Sequence, residues 1–404
     1  MSAPHPLRHR STRSVDAALA AQGLIGRVVE LPDSTRTAVD AARAIGCEVR
    51  QIVKSLVFQG RTSRRPILVL ASGAHRVHED FIAEFVGEPL DRADPEFARS
   101  AAGYAIGGVP PIGHPSPLPT FVDYDLIEQR ELWAAAGHPN AVCRLTSTEL
   151  LHITRGTPIP AVPTKPEVSL AGPWITFDCY GTLIDWRAGL LEELTRVVGP
   201  LPAEASDRWF QRYLHEEQRL EAGPYTSYRD IVAQATRAAS AAIGKSIREE
   251  DALHFPSSIP GWPPFPDTLR SLERLQAMGF RTAILSNIDR DLLSSTLERS
   301  SVAVDMTVAA EDVQSYKPEL AHWIRFLKAT GVRPSTCLHA AGGYEYNLPP
   351  ASLLGFQTAY VARYAGSFPT PAAGSVVGNL TELVDRLANT FRARGNSGES
   401  KLTS

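Results

Sequence analysis

Four cysteines in 404 residues, none in a CxxC pair, leave no disulfide frame and no thiolate zinc site to organise this chain. Cys47, Cys143, Cys179 and Cys337 read as reduced thiols. No apolar run approaches the ~20 residues that a membrane-spanning helix needs, and the start, MSAPHPLRHR, has no apolar signal-like core. The expectation is a cytoplasmic protein with no membrane partner. Charge of one sign is lacking too. The net charge is −3, and a division after residue 165 gives 18 basic against 17 acidic residues, then 23 against 27. Neither half is an electrostatic sponge for long nucleic acid, whereas a partner presenting a few phosphates, such as a tRNA end, stays compatible. What is present, 43% hydrophobic and 21% charged residues, is the composition of a soluble globular protein, too long for one ordinary core.

Residues 156–173, GTPIPAVPTKPEVSLAGP, hold five prolines. Proline fixes φ and removes a donor, so this stretch is predicted to be an extended, semi-stiff linker. It separates a domain over 27–155 from one over 174–390. Residues 1–26 and 391–404 are polar and expected to be frayed.

Beyond the linker, WITFD, RTAILSN, STCLHAA and QTAYVAR are short strand-like runs, and all but the last are followed by helical periodicity. That alternation predicts an α/β domain with a Rossmann-like parallel sheet. Residues from about 187 to 265 interrupt it with charged helical stretches such as RWFQRYLHEEQRLEA, read as an inserted helical cap. Before the linker, IVKSLVFQG and PILVLASG read as strands and TAVDAARAIG and HEDFIAEFVG as helices, in a mixed α/β domain.

Ligands of open parallel sheets sit beyond the carboxyl ends of the strands. Asp178 ends the first such strand, Ser286 and Asn287 end AILSN, Lys317 opens SYKPEL, and Asn347 follows CLHAA. A lone aspartate after a strand is usually a cap or turn residue. Four polar elements converging on one sheet edge are a different matter. FDCYGTLID, LSN, YKPE and GYEYNLPPASLLGF resemble, in order, the four motifs of the haloacid dehalogenase superfamily, with Asp178 and Ser286 108 residues apart and Lys317 31 further on. The resemblance implies that Asp178 is a nucleophile, that Thr182 and Ser286 position an anionic substrate end, and that Lys317 neutralises the carboxylate cluster. A carboxylate held by a fixed cation is a competent covalent nucleophile.

Tyr180 stands where phosphatases of that superfamily carry an acid for the leaving alkoxide. A phenol of ordinary pKa about 10 supplies no ready proton near neutral pH. Halide leaves without one. FDCYGTLIDW therefore resembles the 2-haloacid dehalogenase branch, which implies a small carboxylic acid substrate and neither metal nor other cofactor. Asn347 departs from the family aspartate and cannot act as base for the ester-cleaving water; Glu345 is the nearby alternative, and Tyr344 replaces a frequent asparagine. Arg212, in the predicted cap, is the candidate halide cradle, beside the plainer reading of a solvated helix arginine. Cys179 reads as packing.

In QIVKSLVFQG, Lys54 falls on a strand whose two faces are otherwise largely apolar. The plain reading is an exposed edge lysine. GYAIGGVPPIGH adds a rigid glycine–proline turn whose bare backbone can approach a ligand. Together the lysine strand, the Gly107–Pro111 loop and DYDLIEQRELWAAAGHPNAVCRL resemble the YbaK-type aminoacyl-tRNA editing deacylases, over roughly 27–155. This implies that Lys54 grips the charged 3′ end of an aminoacyl-tRNA, with Gly107, Gly108 and Pro111 around the aminoacyl group. Arg61, Arg64 and Arg65 read as a solvated turn that could meet phosphates, and His75, His78 and His114 as surface or packing residues.

Overall fold

A computed structural model describes residues 9–32, 37–163, 166–168, 171–364 and 374–396. The chain divides into two compact units, Met1–Lys165 and Pro166–Ser404. The proline-rich stretch is not wholly a joint. Thr157–Ile159 is a strand of the first unit, and the backbone N–H groups of Glu167 and Val168 donate to Ala329 O in the second, at 2.8 and 2.9 Å. Proline suits an edge strand as well as a linker, which is why composition alone did not separate the two.

The first unit is built on β1 (Val28–Glu30), β2 (Ile52–Gly60), β3 (Pro66–Ser72), β4 (Leu90–Arg92), β5 (Thr120–Asp123), β6 (Leu132–Ala135), β7 (Ala141–Leu145) and β8 (Thr157–Ile159). They run in the order β1-β7-β6-β2-β3-β5-β8, with β4 beside the far end of β2. The sheet is mixed: β2 is antiparallel to β3 and β4 but parallel to β6. β2 is thus an interior strand, and the edge-lysine reading of Lys54 falls. The helix Ala38–Ile45 begins where Thr37 Oγ1 accepts the Asp40 N–H at 3.1 Å and ends at Gly46, whose φ of +81° suits glycine. The amino terminus is more ordered than its polarity suggested. Arg10–Ala21 is a helix that buries Thr12 and the apolar Val15 and Leu19, spaced about one helical turn apart. Residues 1–8 and 397–404, expected to fray, lie outside the described residues.

In the second unit β9 (Trp174–Phe177), β10 (Arg281–Ser286), β11 (Met306–Ala309), β12 (Cys337–Ala341), β13 (Gln357–Val361) and β14 (Ser375–Val377) form one sheet in the order β11-β10-β9-β12-β13-β14, every neighbouring pair parallel. The four expected strands are all present; β11 and β14 are additional, short and at the edges, where an apolar run is not required. All four residues of β9 are buried, as a central strand covered on both faces must be.

Between β9 and β10 the chain makes the cap, led by the helices Trp186–Val198, Ala203–Glu221 and Tyr228–Ala242. Trp209, Phe210 and Tyr213 of the second cap helix join the core cluster that includes Phe177 and Ile284 of the sheet. Each such large side chain contributes on the order of 1.5–3 kcal/mol when buried. The helix Leu380–Asn396 closes the described chain. Among the described residues no helix is long and apolar enough to cross a membrane.

Candidate active sites

In the second unit the switch of strand order about β9 opens a crevice at the carboxyl ends of β9, β10 and β12. Asp178 sits there, 3% exposed. Its backbone N–H bonds Ala340 O on β12 at 3.2 Å. The Lys317 ammonium donates to Asp178 Oδ1 at 2.8 Å, to Leu285 O at 2.8 Å and to Asn347 Oδ1 at 2.7 Å. An ammonium has three protons, and all three are committed. Thr182 Oγ1 donates to Asp178 Oδ2 at 3.3 Å while accepting the Gly342 N–H at 2.8 Å. Both oxygens of the carboxylate are therefore held. Gly342 has to be glycine, because a Cβ there would come within 2.0 Å of Gly181 O.

Asn287 locks the lysine's own backbone. Its Oδ1 accepts the Lys317 N–H at 2.7 Å, and its Nδ2 donates to Lys317 O at 3.1 Å and to Glu221 Oε1 at 3.2 Å. Asn347 is fully buried; its Oδ1 faces Lys317, and its Nδ2 donates to Gly343 O at 3.0 Å. His339 Nε2 meets the same Oδ1 at 3.2 Å. Burial first, then Lys317, pushes this imidazole down to about 3, so it stays neutral. The amide fits its surroundings, donors on one side and a carbonyl on the other. An aspartate at this place would set an oxygen against Gly343 O. Ser286 is buried beside the cluster, its carbonyl accepting from His322 Nε2 at 3.2 Å.

Tyr180 turns away from the nucleophile: its hydroxyl bonds Thr296 Oγ1 at 2.7 Å and its ring packs edge-on against Trp262. Burial raises the phenol well above its ordinary range, which makes it a weaker acid still. Glu345 is exposed and does not replace the missing aspartate as a base against the buried Asp178. Arg212 is a correction as well. It remains 46% exposed and pairs with the buried Glu216 at 2.5 Å, not with the cluster. Cys179 is fully buried and its thiol is raised well above the ordinary value by burial, consistent with packing.

Sequence reasoning missed three side chains here. Glu217 and Glu221 project from the inner face of the cap helix, and Tyr346 lies 5.6 Å from the Lys317 ammonium, measured to its ring. Burial raises the Tyr346 phenol, followed by Asp178, Glu217 and Glu221, so it stands within electrostatic reach of all three acids. An unrelated groove of about 690 Å³ lies at the opposite end of the sheet, by Trp174, Cys337 and Gln357 at the starts of β9, β12 and β13.

In the first unit Lys54 is half-buried on β2, and its ammonium donates to His75 O. Burial lowers its pKa, opposed by Asp123. Val53 pairs with Ala134 on β6; Gly137, three residues on, donates its N–H to Gly108 O at 3.0 Å. This register sets the lysine and the glycine–proline loop at one end of the same strand pair. Gly107 has φ +87° and is exposed, while Gly108 and Pro111 are buried. A Cβ on Gly108 would press to 3.2 Å from Gly137 C and His138 N, a tight fit that a side chain could take only if this backbone gave way by a few tenths of an ångström. His138, stacked on His9 with ring centroids 3.6 Å apart, is a neighbour of this loop that the sequence did not single out.

His75 is not the isolated histidine expected from sequence. Its Nε2 meets Asp123 Oδ2 at 2.8 Å and its Nδ1 meets Asp125 Oδ2 at 3.3 Å. These three offer ligand atoms close enough for a metal ion. Both ring nitrogens face carboxylates, an arrangement that favours an imidazolium clip, and the bond to Asp123 raises the pKa of His75. His78 is exposed, and His114 Nδ1 meets Ala102 O at 3.2 Å. Arg61, Arg64 and Arg65 are exposed, Arg61 pairing with Asp91 at 2.9 Å.

Comparison with known proteins agrees with this division. Residues 32–153 match the family model of an aminoacyl-tRNA editing domain, and residues 174–344 that of a haloacid dehalogenase-like hydrolase. The chain thus joins a member of the aminoacyl-tRNA editing family to a member of the haloacid dehalogenase-like hydrolases, both hydrolase families. Among curated proteins it is similar to (S)-2-haloacid dehalogenase 1 of Pseudomonas sp. (strain CBS-3), 28% identical over 197 residues, 46% of this chain and 83% of that protein. The (S)-2-haloacid dehalogenase 4A of Burkholderia cepacia is 26% identical over 191 residues, 46% of this chain and 81% of that protein. A solved structure described as a proposed trans-editing enzyme for prolyl-tRNA synthetase is 46% identical and covers 39% of this chain and 99% of its own, with a TM-score of 0.37.

Proposed function

We propose that the chain is a bifunctional hydrolase. Its first unit hydrolyses the ester of mischarged aminoacyl-tRNA, and its second displaces a leaving group from a small molecule's activated carbon through an aspartyl ester. The observation that carries the second half is the carboxylate of Asp178, held on one oxygen by Lys317 and on the other by Thr182, with the hydroxyl of Tyr180 turned to Thr296. Asp178 attacks carbon, and the carbon–halogen bond breaks with its electron pair on the halide. Water then cleaves the ester, returning the carboxylate, the alcohol and one proton. No step needs an acid beside the nucleophile. The 2-haloacids of the dehalogenase relatives are the reference substrates, and the reading places the protein in the cytoplasm with charged tRNA.

In the first unit the reading rests on Lys54, an ammonium on an interior strand beside a bare-backbone loop. Lys54 holds the 3′ end while water attacks the acyl ester.

Asn347 gives the second site a kinetic signature. Without a carboxylate at that place, ester formation outruns ester hydrolysis, and an adduct of Asp178 accumulates. Mass spectrometry of the full-length protein after incubation with haloacids and haloalkyl compounds should find it. Asp178→Asn should abolish it, and Asn347→Asp should shorten its lifetime at least roughly tenfold, the effect of about 1.4 kcal/mol on the barrier. Magnesium-dependent hydrolysis of phosphate esters by the native protein, with no adduct from any halogenated compound, would overturn the reading.

A further inference from the structure

Three strand ends of the second unit meet at Thr182. Its N–H donates to Cys179 O at 3.2 Å, and its hydroxyl donates to Asp178 Oδ2 at 3.3 Å while accepting the Gly342 N–H at 2.8 Å. Its carbonyl accepts Arg363 Nε at 2.9 Å. Arg363 lies two residues past β13, so its side chain reaches across the end of β12 to the loop that follows β9. That side chain is 5% exposed. Its Nη1 pairs with Asp267 Oδ1 at 2.7 Å, and its guanidinium carbon stands 4.2 Å from the centroid of the Phe265 ring. Both supports are themselves anchored. Asp267 Oδ2 accepts the Leu380 N–H at 2.7 Å, at the start of the helix Leu380–Asn396. The Phe265 N–H donates to Leu183 O at 2.9 Å, which the Thr268 hydroxyl also reaches, at 2.7 Å. The guanidinium is thus a planar fork held between fixed groups and aimed at one carbonyl. Its remaining nitrogen, Nη2, is buried with no hydrogen-bond partner among the described residues. A buried donor left unmade costs stability. Stability alone is therefore a poor account of an arginine here, and the direction of the fork onto Thr182 is a better one.

We propose that Arg363 is a positioning residue for the reaction of the second unit: by holding Thr182 O it sets the hydroxyl that orients the Asp178 carboxylate for attack. The proposal rests on the reading of Asp178 as the nucleophile. When an oxygen of Asp178 bonds carbon and the halide leaves with its electron pair, the carboxylate must already point along the line of attack. A displacement of about 1 Å at that moment costs on the order of a hundredfold in rate. Without Arg363 the Thr182 carbonyl loses this anchor, and the peptide can turn and carry the hydroxyl with it. Lysine does not replace the fork, since one ammonium on a flexible stem cannot fix Asp267 and Thr182 O together in that geometry. Arg363 does not itself meet the reacting atoms; it acts through Thr182.

The experiment is a double-mutant cycle on the full-length protein, with 2-chloropropionate and 1-bromopropane as probes and mass spectrometry reading the rate of adduct formation on Asp178. Arg363→Met should lower the limiting rate at least roughly tenfold and leave the half-saturating concentration within about twofold, as expected for a contact that serves the transition state. Thr182→Val should lower that rate as well. In the Thr182→Val protein, Arg363→Met should cost less than about twofold more, because the hydroxyl it places is already gone. An arginine that is merely structural predicts losses that multiply. Arg363→Lys, which keeps a charge opposite Asp267, takes the place of Arg363→Met if the latter does not fold. An unchanged limiting rate, a change confined to half-saturation, losses that multiply, or failure of both Arg363 variants to fold overturns the proposal. Should neither probe label Asp178 in the native protein, the nucleophile reading falls, and urea unfolding of the same four proteins judges Arg363 by itself. Tryptophan fluorescence follows this unit, which holds five of the six tryptophans. Non-additive shifts there sustain the hold of Arg363 on Thr182, and additive shifts overturn it.

Discussion

Lys317 is 1% exposed and each of its protons has an acceptor, whereas Lys54 is half-buried and its ammonium meets one carbonyl among the described residues. The same side chain thus does two jobs. Around Lys317 the polar groups satisfy one another: the lysine fixes Asp178 and Asn347, Asn287 fixes the lysine's backbone, and nothing of the cation is left for a ligand. Around Lys54 the fixed parts are backbone, and the ammonium keeps donors to offer. A saturated buried lysine organises a nucleophile, and a half-open one receives a ligand.

The sharpest way to break this contrast is Lys317→Met. It leaves a buried carboxylate, an amide oxygen and a carbonyl without their donor, and removing one partner of a buried pair costs about 3–5 kcal/mol. Denaturant unfolding of the full chain should show the transition of the second unit shifted by that amount and the first unchanged. Lys54→Ala should do the reverse. The first unit should unfold as before, because one half-buried ammonium is lost, while deacylation of mischarged tRNA falls at least roughly tenfold, the consequence of losing a charge-assisted contact of about 1.5–3 kcal/mol. Unchanged deacylation by a folded Lys54→Ala protein would remove the lysine's role. The smallest effect concerns pH. Asp123 raises the pKa of His75 in the folded protein. A raised folded pKa contributes stability that is complete below the unfolded value, about 6.5, and is lost as pH rises through the folded one. The first unit should therefore weaken as pH climbs from the ordinary histidine range, and His75→Asn should flatten that dependence; a native profile already flat there would sink the imidazolium clip.

The two sites were not equally legible. Asp178, Lys317 and the strand ends that carry them could be read because a parallel sheet concentrates function at one edge and the residues fall within short motifs. The all-parallel order of the sheet followed from the alternation of strands and helices. Lys54 could be read as a strand residue, but its interior place depends on β6, some 80 residues downstream. Glu217 and Glu221 were hidden in a helix rich in charge, where acidic residues ordinarily face solvent. The signal that could have found them was their spacing from Phe210 and Tyr213, which puts them on the apolar stripe. Arg212 failed for the complementary reason: it is one residue off that stripe. His75 carried no local sign at all, since its partner Asp123 lies 48 residues away.

Asp123 also has a meaning in mechanical terms. Its Oδ2 takes the Ser72 N–H at the end of β3 and meets His75, while its Oδ1 takes the N–H groups of Asp125 and of Ala161, just past β8. Ala161 in turn gives its carbonyl to the His78 N–H at 3.0 Å. The segment from His75 to His78, which supplies the acceptor for Lys54, is tied to Ala161, just past the last strand of the first unit, once through Asp123 and once directly by the His78 N–H. A pull on the chain beyond Ala161 is borne first by these two stitches, and only a load that opens them reaches the lysine's footing. One buried carboxylate therefore acts as a strain relief, like the clamp that keeps a tug on a cable from its solder joint.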